Sequence, residues 1–517
     1  MTLLPRRLVP LLLACLGLTV AGHAESPAVK TTEVANAHGF RIIIETPDLD
    51  KKTEGPDLKK VEAKLDQLLG NKLAVLAAAE VLPSVAGAPA AGAPATATAS
   101  LLEAIKLAGD KASWAWVLMA GVLVFNMQCG FVMLELGMCR AKNSINVMMK
   151  GYLDFCIGAI VYLFLGFAFH FGDSWNGIIG TTGFWLSGSY DAHHPLWVFW
   201  FFQVGFATVA CTIASGAMAE RTKFIGYITY AAIFMFLVYP VTGHWAWGDA
   251  GAAWGIGGAK GWLERFDIPF IDFAGSSVVH ACGGACALAG ILVIGPRAGR
   301  FAPDGTPRII SGHNIPLATL GALLLWFGWF GFNAGSTLMA SADIGRIAAN
   351  TLLCPAAGAV TAMLSMWLMQ GKPDIGITMN GSLGGAVAIT AGCANVSPAS
   401  AVVIGLIAGL VTTYATVILE RLKIDDVAGA VPVHLANGWW GTLAVALFHD
   451  EGFKIERLGV QALGTFAISI TSFVLCFTIF KVIDLTIGLR ASDTQQSDGL
   501  DFSEHAASAY PDFQTSE

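Results

Sequence analysis

Two short stretches hold the residue types best able to do chemistry. "DFAGSSVVHACGG" begins at Asp272 and "DVAGAVPVHLANG" at Asp426. Aligned without a gap, both read D-x-A-G-x-x-x-V-H, with a glycine four residues after the histidine, and the same 154-residue interval separates the two Asp and the two His. Around each histidine the residues are small and apolar. An ionisable group in such a segment is costly inside a bilayer and marks a conduction or proton path by default. Imidazole is suited to a small, proton-exchanging solute, because its nitrogens donate or accept near neutral pH. A lone membrane histidine can also be a packing residue bonded to a neighbouring carbonyl, but chance accounts poorly for two in register. The Asp ahead of each His has two candidate roles, capping a helix start or stabilising a cation at a pore entrance. Two facing histidines also permit a bis-His haem, although the aspartates have no place in one. Cys282 and Cys286, four apart and close to His280, permit a metal ion; small thiols are equally packing residues where membrane helices approach closely.

The elements that position these residues must be membrane helices. Hydrophobic residues make up 55% of the 517-residue chain and charged residues 13%, with 31 Phe and 15 Trp, whereas soluble domains carry about 25% charge. Apolar windows long enough to span recur about eleven times: 113–137, 150–171, 197–219, 224–247, 272–294, 315–337, 345–370, 376–394, 399–420, 427–449 and 460–489. Basic residues alternate between the connections. Arg140, Lys142 and Lys150, then Arg221 and Lys223, Arg297, Arg300 and Arg308, Lys372, and Arg421 with Lys423 follow the odd-numbered spans as far as the ninth, while the other loops are poorer. The positive-inside rule therefore puts the N-terminus outside and the tail inside. The histidine copies lie on the fifth and tenth spans. Five is odd, so the second copy is upside down relative to the first. The expected fold is an all-α polytopic membrane protein of two inverted five-helix repeats plus one helix, with the two imidazoles meeting across the pseudo-two-fold axis near the midplane.

The flanks read differently. Arg6 and Arg7, the apolar "LVPLLLACLGLTVAG" and small residues before a cut after Ala24 describe a secretory signal peptide, residues 1–24. Residues 25–111 form an exported segment, with an amphipathic helix expected in "DLKKVEAKLDQLLGNKLAVL" and an Ala/Pro-rich linker after it. The helix suits either a flexible tether or a short coiled-coil collar on an oligomer. The membrane domain covers 112–489 and the cytoplasmic tail 490–517. Apart from Cys15 of the signal, the cysteines all lie in or beside apolar segments, so no disulfide framework is visible. The formal charge of -7 comes with no basic stripe, which excludes nucleic acid as a natural ligand. Nothing reads as a P-loop, a nucleophile motif or a zinc signature, so ATP-driven transport and enzymatic hydrolysis find no support.

"DFAGSSVVH", "HNIPLATLGALLLWFGWFGFNAGS", "FFQVGFATVACTIASGAMAER" and "DDVAGAVPVHLANGWWGTL" resemble, in order, the signature segments of the ammonium transporter family (Amt/Mep/Rh), on its Amt branch. The likeness runs from about residue 112 to the tail, where "GLDFSEHAASAYP" is similar to the family's cytoplasmic C-terminus. The resemblance implies a homotrimer in a bacterial cytoplasmic membrane, a hydrophobic pore in each subunit, no cofactor, ammonium and ammonia as substrate with methylammonium as a candidate, and a PII-type regulatory protein at the inner mouth. It implies an outer recruitment site at Trp247, Phe206 and Ser336, with Asp272 acting beside it through the structure around it or through deprotonation. Phe206 and Phe332 match the stacked gate, Trp329 a pore-wall residue beside the twin histidines His280 and His434, and Asp426 a structural partner of Asp272. An indole face attracts a small cation by about 0.5 to 2 kcal/mol, and a hydroxyl accepts an N–H. An ammonium sensor on the same fold is the alternative reading, with the exported segment left for any added function.

Overall fold

The computed structural model describes residues 29–35, 41–47, 95–187 and 194–513. The signal peptide and the amphipathic helix expected from Asp57 lie outside the described residues. In the N-terminal unit, β1 (Val29–Ala35) pairs antiparallel with β2 (Arg41–Pro47), a hairpin that the linker-like composition did not announce.

The second unit is built on eleven helical segments in the expected places. They are α1 (Ala95–Met138), α2 (Ala141–Phe171), α3 (Leu196–Met218), α4 (Phe224–Trp247), α5 (Ser276–Ile294), α6 (Ile315–Gly335), α7 (Ile344–Gln370), α8 (Ile375–Thr390), α9 (Pro398–Arg421), α10 (Val431–Ala436 running into Asn437–Phe448) and α11 (Ile455–Thr486). Among the described residues, nine helices are long and apolar enough to cross a membrane, α8 and α10 being the shorter exceptions. The chain is therefore a polytopic membrane protein. Several starts have local causes. Asn314, Asp374 and Ser397 each accept a backbone N–H two or three residues into the following helix, which removes one orphan donor of the first turn.

Three boundaries differ from the hydropathy windows. The first helix begins at 95, not 113, so it runs back into the end of the expected Ala/Pro-rich linker. The second helix begins at 141, not 150, because Lys150 is buried within it and its ammonium donates to the carbonyl of Thr222 at 2.8 Å. A partnered lysine is tolerated there, and hydropathy does not see partners. The fifth begins at 276 rather than 272, because Asp272 caps the helix instead of joining it.

The glycine of each repeat copy explains itself in the packing. A Cβ on Gly284 of α5 would strike the backbone of Leu435, and one on Gly438 of α10 would meet Ala281 at 2.9 Å. The four residues are two symmetry-related pairs. Small residues at these positions let the discontinuous helices of the two halves cross almost backbone to backbone, and that crossing lies one turn from each histidine.

On the inner face the tail folds back as α12 (Asp493–Asp498) and α13 (Leu500–His505). Leu500 N–H donates to Asn143 and the Asp501 carboxylate accepts from Asn146 N–H at 2.9 Å, tying the tail to the start of α2.

Candidate functional site

Each histidine is positioned by the same three-part device. First, the aspartate takes up the orphan amides of the helix start. Asp272 accepts from the N–H groups of Gly275, Ser277 and Val278 at 2.8 to 3.1 Å, and Asp426 from those of Gly429, Ala430 and Val431 at 2.8 to 3.0 Å. Second, the glycine of D-x-A-G turns the chain through left-handed φ, +114° at Gly275 and +75° at Gly429, where a side chain is strained. Third, the next turn is wound wide. Ser276–Ala281 and Val431–Ala436 are both π-helical, a rare geometry that gathers at functional sites. Sequence periodicity carries no signal for it.

The outcome is a buried imidazole pair. His280 Nδ1 and His434 Nδ1 lie 3.2 Å apart, with ring centroids 5.2 Å apart and planes 22° from parallel. One nitrogen carries the hydrogen and the other accepts it, so the two rings act as one tautomerically linked unit. His280 is fully buried, and its Nε2 has no partner among the described residues. Trp329 stacks on His280 at 5.2 Å and is held by its own N–H to the Thr390 hydroxyl at 2.9 Å. The direct Nδ1 contact leaves no room for a porphyrin between the rings, so the haem alternative does not fit. Nor do the cysteines complete a metal site. Cys282 meets the Ser472 hydroxyl and Cys286 meets Cys476 of α11, and no cluster of three candidate ligands exists among the described residues.

Above the pair stand two stacked rings. Phe206 of α3 and Phe332 of α6 stack at 3.9 Å, 18° from parallel, and Phe332 stands 5.5 Å from His280. Farther out, Trp247 meets Phe206 edge to face at 6.2 Å, and its indole N–H donates to the carbonyl of Asp272 at 2.8 Å. Ser336 caps the C-terminal end of α6 and donates to the Phe332 carbonyl at 2.8 Å, leaving its oxygen able to accept. Histidine pair, Trp329, the phenylalanine stack and Trp247 thus form one continuous column of rings, and Asp272 joins it through its backbone rather than its carboxylate.

The sequence reading missed what stands behind Trp247. His170 at the end of α2 is parallel to the indole at 6.0 Å and bonds the Tyr162 hydroxyl at 2.9 Å. His244 bridges the His170 carbonyl, at 2.6 Å, and the Ser174 hydroxyl, at 2.7 Å. The available signal was a histidine in each apolar run, in "FAFHFG" and "GHWAWG". His170 lies parallel to the indole, and His244 is tied to His170 rather than to the indole.

Comparison with known proteins adds to this geometry. A family model described as the Ammonium Transporter Family matches residues 115–510. The ammonium transporter Amt2 of Archaeoglobus fulgidus is 46% identical over 428 residues, covering 77% of this chain and 88% of its own length. The ammonium transporter Amt1 of Haloferax mediterranei is 37% identical over 417 residues, covering 78% and 80%. Among solved structures, one named "Sensor Amt Protein" superposes with a TM-score of 0.73 at 38% identity over 77% of this chain and 100% of its own. Mep2 of Candida albicans superposes with a TM-score of 0.67 at 26% identity, covering 74% and 87%.

Proposed function

The chain belongs to the ammonium transporter family, and on that premise we propose that it carries ammonium inward by deprotonating it outside the gate and conducting ammonia along the histidine pair, with or without separate transfer of the proton. The observation that carries this reading is the buried His280–His434 contact beneath the phenylalanine stack. Ammonium and potassium are alike in size and charge, so an aromatic site on its own separates them poorly. Ammonium can release a proton; potassium cannot. A dry lumen imposes several kcal/mol on a bare cation and little on neutral ammonia.

In this reading Trp247, Phe206 and Ser336 receive ammonium by cation–π attraction and one hydrogen bond. Asp272 holds Trp247 through its carbonyl and caps the helix that carries His280. Deprotonation takes place between this site and the gate. Ammonia then passes Phe206 and Phe332, hydrogen-bonds along His280 and His434 with Trp329 as the wall, and is reprotonated inside. Methylammonium is a candidate second substrate. The protein works as a homotrimer in the bacterial cytoplasmic membrane, its residues 25–111 exported after removal of a signal peptide, and a PII-type protein is the candidate regulator at the inner mouth. The structural likeness to a protein named as a sensor supports a second reading, in which the same column detects ammonium.

Ammonium-pulse currents on solid-supported membranes decide between them, with potassium as control and His280→Ala and His434→Ala alongside. An ammonium-specific wild-type current that the variants lose, or carry without selectivity, is expected. An unchanged ammonium-to-potassium ratio in both variants would refute the histidine relay. No current, but a rise in internal pH on the same pulse, would mean net passage of ammonia; silence in both assays would favour sensing.

A further inference from the structure

We propose that Glu135 is the proton donor that turns ammonia back into ammonium on the inner side of the histidine pair. This rests on the transport reading and assigns its last step to a residue.

Below His434 lies a cavity of about 20 Å³, lined among others by Phe131, Glu135, Gly216, Asn380 and His434. A space of this size holds one molecule no larger than water, and ammonia is of that size. Glu135 is the one acid in the lining. It is 2% exposed on α1, in the apolar run "FVMLELGM", and makes no ion pair among the described residues. A carboxyl placed there without a cation is expensive unless it serves a path. One of its oxygens, Oε2, accepts from the Ser215 hydroxyl at 2.8 Å. The other lies over Gly216, where an added Cβ would come within 3.1 Å of it, so the glycine leaves this oxygen its room. Asn380 commits its Nδ2 to the Ala428 carbonyl at 3.0 Å, which leaves its Oδ1 as an acceptor. The charged neighbours of Glu135 are Lys150 and Asp154 of α2. Lys150 is engaged with the Thr222 carbonyl, and Asp154 with the hydroxyls of Thr212 and Tyr227.

The step balances in atoms and charge. Ammonia leaving His434 takes the proton of the Glu135 carboxyl; one O–H bond breaks, one N–H bond forms, and ammonium and a carboxylate result side by side. The carboxylate is the counter-charge that lets a cation form in a dry cavity. Ser215 donates to it, and Asn380 accepts an N–H of the ammonium. When the cation leaves, Glu135 regains its proton from hydronium in the inner-mouth water.

Ammonium-pulse currents of wild type, Glu135→Gln and Glu135→Asp are compared with the pH equal on both faces, at about 6 and at about 8, each variant read as a ratio to wild type. The Gln variant is expected to approach wild type at the lower pH, where hydronium can protonate ammonia directly, and to fall roughly tenfold or more at the higher one. The Asp variant should keep most of the current at both. A Gln-to-wild-type ratio that does not change with pH, whatever its size, overturns the assignment. Should the Gln variant not fold, Ser215→Ala keeps the carboxyl but releases its orientation; the same pH trend at smaller amplitude supports the proposal and a flat ratio overturns it. A wild type silent both in current and in internal pH on the same pulse would instead remove the transport reading itself.

Discussion

At the outer end of the column Asp272 stands beneath Trp247, whose indole N–H rests on its carbonyl, and behind the indole His170, His244, Tyr162 and Ser174 are joined by hydrogen bonds. At the inner end Asp426 repeats the cap, but its neighbours are ions. Arg297 grips Asp425 through two nitrogens at 2.8 and 3.0 Å, Glu220 takes Arg140 at 2.6 Å and Arg297 at 3.5 Å, and Arg221 donates to the Asp425 carbonyl. The backbone device is the same at both ends, so the helix geometry that presents a histidine is not what distinguishes them. Side chains from other helices do. The outer end offers π faces and carbonyl oxygens; the inner end offers guanidinium groups whose counter-charges are already engaged.

The largest way to break this comparison is to remove the inner charge knot. Asp425→Asn leaves Arg297, 5% exposed, with only its 3.5 Å contact to Glu220, a carboxylate it shares with Arg140, and breaking a buried ion pair by removing one partner costs about 3 to 5 kcal/mol. Thermal unfolding in detergent should show a large loss of stability, while ammonium half-saturation in the surviving fraction stays near wild type. If instead the affinity falls and stability holds, the inner knot belongs to substrate handling and the division between ends is wrong.

The caps give a smaller and sharper test. Asp272→Ala and Asp426→Ala each remove an acceptor shared by three backbone amides, and loss of a helix cap costs about 0.5 to 2 kcal/mol. Similar stability losses are expected for the two. They should part in function: the outer variant loosens the carbonyl that seats Trp247 and raises ammonium half-saturation, whereas the inner one leaves it alone. Equal shifts in half-saturation would mean that Trp247 is not seated by this turn.

Much of this arrangement was legible in the chain. A fixed interval between D-x-A-G-x-x-x-V-H copies, five spans apart, is sufficient to place His280 against His434, because inversion follows from an odd count and an ionisable pair in lipid seeks a partner. Trp247, Phe206, Phe332, Ser336 and Trp329 were reachable through resemblance alone; aromatics and serines are ordinary in membrane helices, and nothing in their local spacing marks them. Three features were illegible for definite reasons. The wide turns at both histidines depend on which carbonyl each amide finds. Lys150 and Glu135 are ionisable groups whose hydrogen-bond partners, the Thr222 carbonyl and the Ser215 hydroxyl, lie 72 and 80 residues away in sequence. His170 and His244 come together with Trp247 only through the packing of α2 against α4, which local spacing does not reveal.

The smallest predicted effect concerns pH, and it has opposite signs at the two ends. In the outer loop, burial and the adjacent carboxyl of Asp249 push Glu264 up to about 8, while its oxygen accepts the Gly261 N–H at 2.5 Å. A carboxyl raised on folding lends stability below its ordinary range and loses it as the pH climbs through the raised value. At the inner end burial by itself would raise Asp425, but hydrogen bonds from Arg297 and the charges of Arg221 and Arg297 win and hold it well below the usual carboxylate range. Its contribution is therefore intact at neutral pH and is lost only on strong acidification. Between about pH 7 and about pH 9, amide-exchange protection should fall across residues 261–265 and stay level across 425–431. Glu264→Gln should flatten the outer response without touching the inner one. Protection that falls equally at both ends, or an outer decline that survives Glu264→Gln, would show that the alkaline loosening comes from somewhere other than this carboxyl pair.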